Sequence, residues 1–75
     1  MRVTVKLAGG FVHTVGFSQK ELDLEPGTTV DDILVAIRIN RAWPMIIARN
    51  GWAVPVEEEL RDGDRILVCP VFSGG

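Results

Sequence analysis

The sequence predicts an α+β fold, with one main amphipathic helix packed across one face of a mixed sheet of four to five strands. Three observations carry that expectation. Segments near both ends alternate apolar and polar residues, one central stretch switches to helical spacing, and glycine-containing turn dipeptides separate the segments.

Residues Arg2 to Leu7 set Val3, Val5 and Leu7 on one side and Arg2, Thr4 and Lys6 on the other, the period of a half-buried strand. Gly9-Gly10 is a turn signal, and the stretch from Phe11 to Leu24 is expected to hold a second strand, giving a hairpin at the amino end. Pro26-Gly27 then turns the chain into "TTVDDILVAIRIN". Thr29 suits the N-cap, because its hydroxyl can accept a bond from a first-turn N–H, and Asp31 and Asp32 bring carboxylates to the positive end of the helix dipole. Val30, Ile33, Leu34 and Ile37 recur at i, i+3, i+4 and i+7 as one apolar stripe. The helix is expected to end near Asn40, and Pro44 forbids its continuation.

In "MIIARNGWAVPV" two apolar runs flank Asn50-Gly51, a dipeptide that tolerates the positive φ angles of a tight hairpin turn. Asp62-Gly63 marks another turn, and a last strand runs from Arg65 to about Val71. Within it Pro70, lacking a donor, marks a strand end or an edge.

Seventy-five residues hold one small core, with no room for a second core or for an enclosed catalytic cleft of ordinary size. A binding partner or carrier is therefore expected, and not an enzyme. A hydrophobic fraction of 47% against 24% charged residues is the balance of a compact globule and argues against disorder. The net charge is -2 and the basic residues are scattered singly from Arg2 to Arg65, so no clustered positive charge is present to displace counterions from nucleic acid. No apolar run approaches a membrane span, and no signal-peptide pattern opens the chain. A single cysteine, Cys69, cannot form an internal disulfide, which makes a cytoplasmic setting the expectation.

Chemistry-bearing motifs are few. No GxxxxGK[ST] loop cradles a phosphate, and one histidine (His13) with one cysteine provides no metal-ligand set and no ligands for an iron-sulfur cluster. His13 reads as a surface residue, Cys69 as a small packed hydrophobe, and Glu57-Glu58-Glu59 as a solvated loop. The feature that asks for an explanation is Gly74-Gly75 directly after an apolar strand. Glycine orders at a higher entropic cost than any other residue, so a terminal pair adds little to a fold.

This layout resembles the ubiquitin-like β-grasp proteins, and more closely their small bacterial members, the ThiS and MoaD sulfur carriers. The pieces that carry the resemblance are "TTVDDIL" opening the helix, "RNG" at the central hairpin, "LRDGDRI" before the last strand, and "PVFSGG" at the end. The spacing from Thr29 to Asn50 is similar to the ThiS type, while "PVFSGG" is similar to the MoaD type. The amino segment "LAGGFVHTVG" departs from both, so a thiamin and a molybdopterin pathway both stay open. The resemblance implies a β-grasp globular domain over residues 1–71 and a flexible C-terminal Gly-Gly tail over 72–75.

It also implies a mechanism. A carboxylate is a poor electrophile, so chemistry at Gly75 needs activation. In the family, a ubiquitin-activating-like adenylyltransferase supplies the ATP site and forms an acyl-adenylate, and sulfur then replaces AMP to leave a thiocarboxylate. That sulfur passes to an acceptor synthase of the molybdopterin or thiazole type. The carrier binds no cofactor of its own, acts as a protein cosubstrate, and is a monomer when free. Gly74 lets the tail enter a narrow channel, and Phe72 to Gly75 reach on the order of 13 Å when extended.

Alternation suggests where such a partner docks. With Ile66, Val68 and Ile47 facing the helix, Ile46, Ala48, Leu67 and Cys69 share the opposite face as an apolar patch, to which Phe72 adds from the tail. Two other readings stay open. One is a ubiquitin-like modifier joined to lysines through Gly75, and the other is a β-grasp interaction module with no terminal chemistry.

Overall fold

The computed structural model describes residues 1–71. Its elements, in order, are β1 (Arg2–Leu7), α1 (Phe11–Val15), β2 (Gln19–Asp23), α2 (Val30–Ala36), β3 (Met45–Arg49), β4 (Trp52–Ala53) and β5 (Arg65–Pro70). The strands form one five-stranded sheet in the order β2-β1-β5-β3-β4. The central pair β1·β5 is parallel and the other pairs are antiparallel, so the sheet is mixed as expected.

Alternation in β1 and β5 becomes two faces. Val3, Val5, Leu7, Ile66 and Val68 point inward, joined by Ile47 of β3, and α2 lays Val30, Ile33 and Leu34 against them. Ile37 packs at the margin of this core. The start of α2 is a complete capping box: Thr29 Oγ1 accepts from the Asp32 N–H at 3.3 Å, and the Asp32 carboxylate accepts from the Thr29 N–H at 2.9 Å. Two further first-turn donors, the N–H groups of Val30 and Asp31, reach the carbonyls of Glu58 and Val56.

Three local expectations need correction. The amino segment is no simple hairpin. β2 does pair antiparallel with β1, but the connection carries α1, bounded by Gly9 at φ +58 and by Gly16 at φ +105, whose N–H closes on the Val12 carbonyl. Phe11 explains the insertion, since the helical turn buries its ring in the core.

The main helix also stops short of Asn40. Arg38 takes the left-handed conformation at φ +60, and the chain reverses so that the Ile39 N–H meets the Leu34 carbonyl at 3.3 Å while Ile39 itself enters the core. That burial offsets the cost of a left-handed arginine, about 1 to 2 kcal/mol. The acidic run, finally, is a solvated loop only in part: Glu57 and Glu59 are exposed, but Glu58 is not free. Glu58 pairs with Arg49 at 2.8 Å, and Arg49 also donates to the Glu59 carbonyl at 3.0 Å.

The central hairpin closes as its dipeptide predicts, with Asn50 at φ +52 and Gly51 at φ +91. Asn50 also accepts from the Arg65 N–H and donates to the buried carboxylate of Asp64, which in turn accepts from the Arg61 N–H. Among the described residues, no helix is long and apolar enough to cross a membrane.

Candidate functional site

The sheet has one face covered by α2 and one that is not, and register decides what the open face presents. Across β3 and β5, Ile46 stands opposite Cys69 and Ala48 opposite Leu67. Directly opposed residues share a face, so the four predicted patch residues form a two-by-two block. Ile46 is 51% exposed, whereas Ala48, Leu67 and Cys69 are half-buried. Their sequence neighbours Ile47, Ile66 and Val68 are at most 4% exposed. The assignment of faces made from alternation therefore matches the structure. Arg49 is inward-facing at the end of β3, where Glu58, the Glu59 carbonyl and, at 4.0 Å, Asp64 surround its guanidinium.

The other half of this face is polar. Lys6 lies beside Leu67 and Thr4 beside Arg65, with Gln19 and Glu21 of β2 continuing the rows in an open groove. Arg2 at its margin is paired with Glu21 and Asp23. Its pKa is raised above the usual arginine value, first by the hydrogen bond to Asp23 and then by the charges of Asp23 and Glu21. Sequence reasoning had not singled out this polar half, although the same alternation in β1 that predicted the core places Thr4 and Lys6 here.

The upper edge of the apolar block leads to the root of the tail. Pro70 ends β5 opposite Met45, and the Val71 N–H donates to the Pro44 carbonyl at 3.2 Å. Cys69 is a free thiol one residue before Pro70. Phe72, Gly74 and Gly75, expected to provide a contact, tail access and the reacting carboxylate, lie outside the described residues. His13 is exposed in the last turn of α1, apart from this face.

The sequence pattern of the ThiS family matches residues 5–75. The chain belongs to the ThiS family. Solved structures with the same fold include the Pyrococcus furiosus protein assigned as molybdopterin converting factor, subunit 1. It is 28% identical, with 93% of this chain and 97% of that one covered at a TM-score of 0.80. The small archaeal modifier protein 1 of Haloferax volcanii is 22% identical over 92% of this chain and 95% of its own, with a TM-score of 0.78. A chain of the Helicobacter pylori complex of subunits 1 and 2 of molybdopterin-converting factor is 20% identical over 100% of both chains at a TM-score of 0.69. These likenesses place the ThiS-family chain on the ubiquitin-like β-grasp fold.

Proposed function

We propose that this chain is a sulfur carrier, a protein cosubstrate whose Gly75 carboxylate is activated and thiolated by partner enzymes. The supporting observation is the family match running from β1 through the Gly-Gly pair, on a fold shared with molybdopterin converting factor subunit 1. In this reading residues 1–71 are the docking body and residues 72–75 the reacting tail.

The chemistry balances in three steps. The Gly75 carboxylate attacks the α-phosphorus of ATP held by a ubiquitin-activating-like adenylyltransferase, and pyrophosphate leaves. The terminal sulfur of a persulfide then attacks the acyl carbon and expels AMP. A second thiol cleaves the resulting S–S bond, leaving the thiocarboxylate on Gly75 and a disulfide on the donor. The thiocarboxylate sulfur is then given to an acceptor synthase of the molybdopterin or thiazole type. The reaction is placed in the cytoplasm, the setting expected of a chain with a single cysteine. The free carrier is a monomer and holds no cofactor.

Ordering the tail in a partner's channel costs entropy, which body contacts must offset. In this reading the block of Ile46, Ala48, Leu67 and Cys69 supplies them, and Phe72 is a further contact. Appending one residue after Gly75, or deleting Gly75, is expected to abolish ATP-dependent adenylation while leaving the melting temperature unchanged. Adenylation of the extended protein would overturn the assignment of Gly75. Gly-Gly remnants on target lysines, without a thiocarboxylate, would favour the modifier reading.

A further inference from the structure

The last described residues are held from both sides. On the β1 side, Gly9 sits at φ +58, and a Cβ there would lie 3.2 Å from Pro70 Cγ and 3.6 Å from Pro70 Cδ. The neighbouring Ala8 N–H donates to the Val68 carbonyl at 3.0 Å, which locks this turn against β5. On the β3 side, the Pro44 carbonyl accepts from the Val71 N–H at 3.2 Å. Pro44 is itself fixed. Trp43 stacks on the buried Phe11, with ring centroids 5.8 Å apart and planes within 7°, and Asn40 accepts from the Ala42 N–H at 2.9 Å. Arg41 is paired with Asp31 of α2. Between these two walls, Pro70 has its φ locked by its ring.

We propose that Gly9, Pro44 and Pro70 form a collar that fixes the direction in which the chain leaves the sheet at Val71, and so act as positioning residues for reaction at Gly75. The proposal rests on the assignment of Gly75 above. Its physical logic is leverage. Once a partner's channel holds the four-residue tail extended, over on the order of 13 Å, a tilt of about 5° at the root displaces its far end by about 1 Å. A misplacement on the order of 1 Å can cost a reaction roughly a hundredfold. Pro70 is the last residue of β5, next to Cys69, and Pro44 immediately precedes β3, whose Met45 stands opposite Pro70 and next to Ile46, so the collar adjoins the apolar block. Docking sets the body, and the collar sets the tail's heading relative to that body. The two therefore separate kinetically: the block acts on KM and the collar on kcat.

Three glycines make the test. Asparagine tolerates positive φ better than other side chains, so Gly9→Asn adds a Cβ against Pro70 with the least backbone strain. Gly16→Asn adds the strain without the contact, because Gly16 has φ +105 and open space around it. Gly10→Asn adds neither, with φ -64 and nothing within 4 Å of a Cβ. Each would be assayed as substrate of the same organism's ubiquitin-activating-like enzyme by ATP–pyrophosphate exchange, and amide hydrogen exchange at Val71 would be measured on the free protein. Gly9→Asn is expected to lower kcat about tenfold with KM nearly unchanged, and to speed exchange at Val71. The Gly10 and Gly16 variants are expected to match the parent. If Gly9→Asn does not fold, Pro70→Ala replaces it, with the same direction expected. Equal kcat and equal Val71 exchange in the Gly9 and Gly16 variants, or a loss confined to KM, overturns the collar. An unmodified chain that is not adenylated at all overturns the Gly75 assignment instead, and Val71 exchange then still decides whether the collar holds.

Discussion

Leu67 and Val68 are neighbours in one strand, yet they belong to different problems. Val68 is fully buried beneath α2, paired with Ile47 across β3. Leu67 is half-buried on the open face, between Lys6 and Ala48. Nothing in their chemistry distinguishes two aliphatic side chains; the strand's period of two does. One face buries its apolar surface in folding, while the other leaves part of it exposed, and it is that exposed part that is proposed as the docking patch.

The same charge placed on each face is expected to have opposite consequences. Val68→Asp is expected to unfold the domain, because an unpaired carboxylate at a dry position costs more than about 4 kcal/mol, a large share of what so small a domain holds. Circular dichroism reads the result. Leu67→Asp is expected to keep the fold and to weaken docking to the adenylating partner by about 1.5 to 3 kcal/mol, seen by calorimetry. Inverted outcomes would exchange the faces and remove the docking patch. A smaller effect sharpens the same contrast from the helix that covers the inner face. Thr29→Ala removes one arm of the capping box and should lower stability by about 1 kcal/mol in a thermal melt, with docking unchanged.

Those two faces were legible in the sequence because each strand residue answers to one boundary, core or solvent, and the answer repeats every second position. The helix stripe and the Asn50-Gly51 turn were legible for similar local reasons. What escaped depends on contacts between distant segments. Val12, Thr14 and Val15 favour a strand, and α1 forms only because Phe11 finds a buried site. Arg38 carries no signal for a left-handed turn; the burial of Ile39 imposes it. Glu58 reads as one more solvated acid until β3 brings Arg49 to it. Gly9 reads as half of a turn, and its closeness to Pro70 exists only once β1 and β5 lie side by side. At the candidate site, the apolar half was legible from alternation, while the root of the tail required tertiary packing.

Whether Gly75 carries sulfur can be read from the mass of the intact chain. Intact-protein mass spectrometry after incubation with ATP, the adenylating partner and a persulfide donor tests it most directly. A mass gain equal to the difference between sulfur and oxygen is expected, absent when ATP is withheld. An unchanged mass, with a partner shown in the same reaction to adenylate the chain, would contradict it.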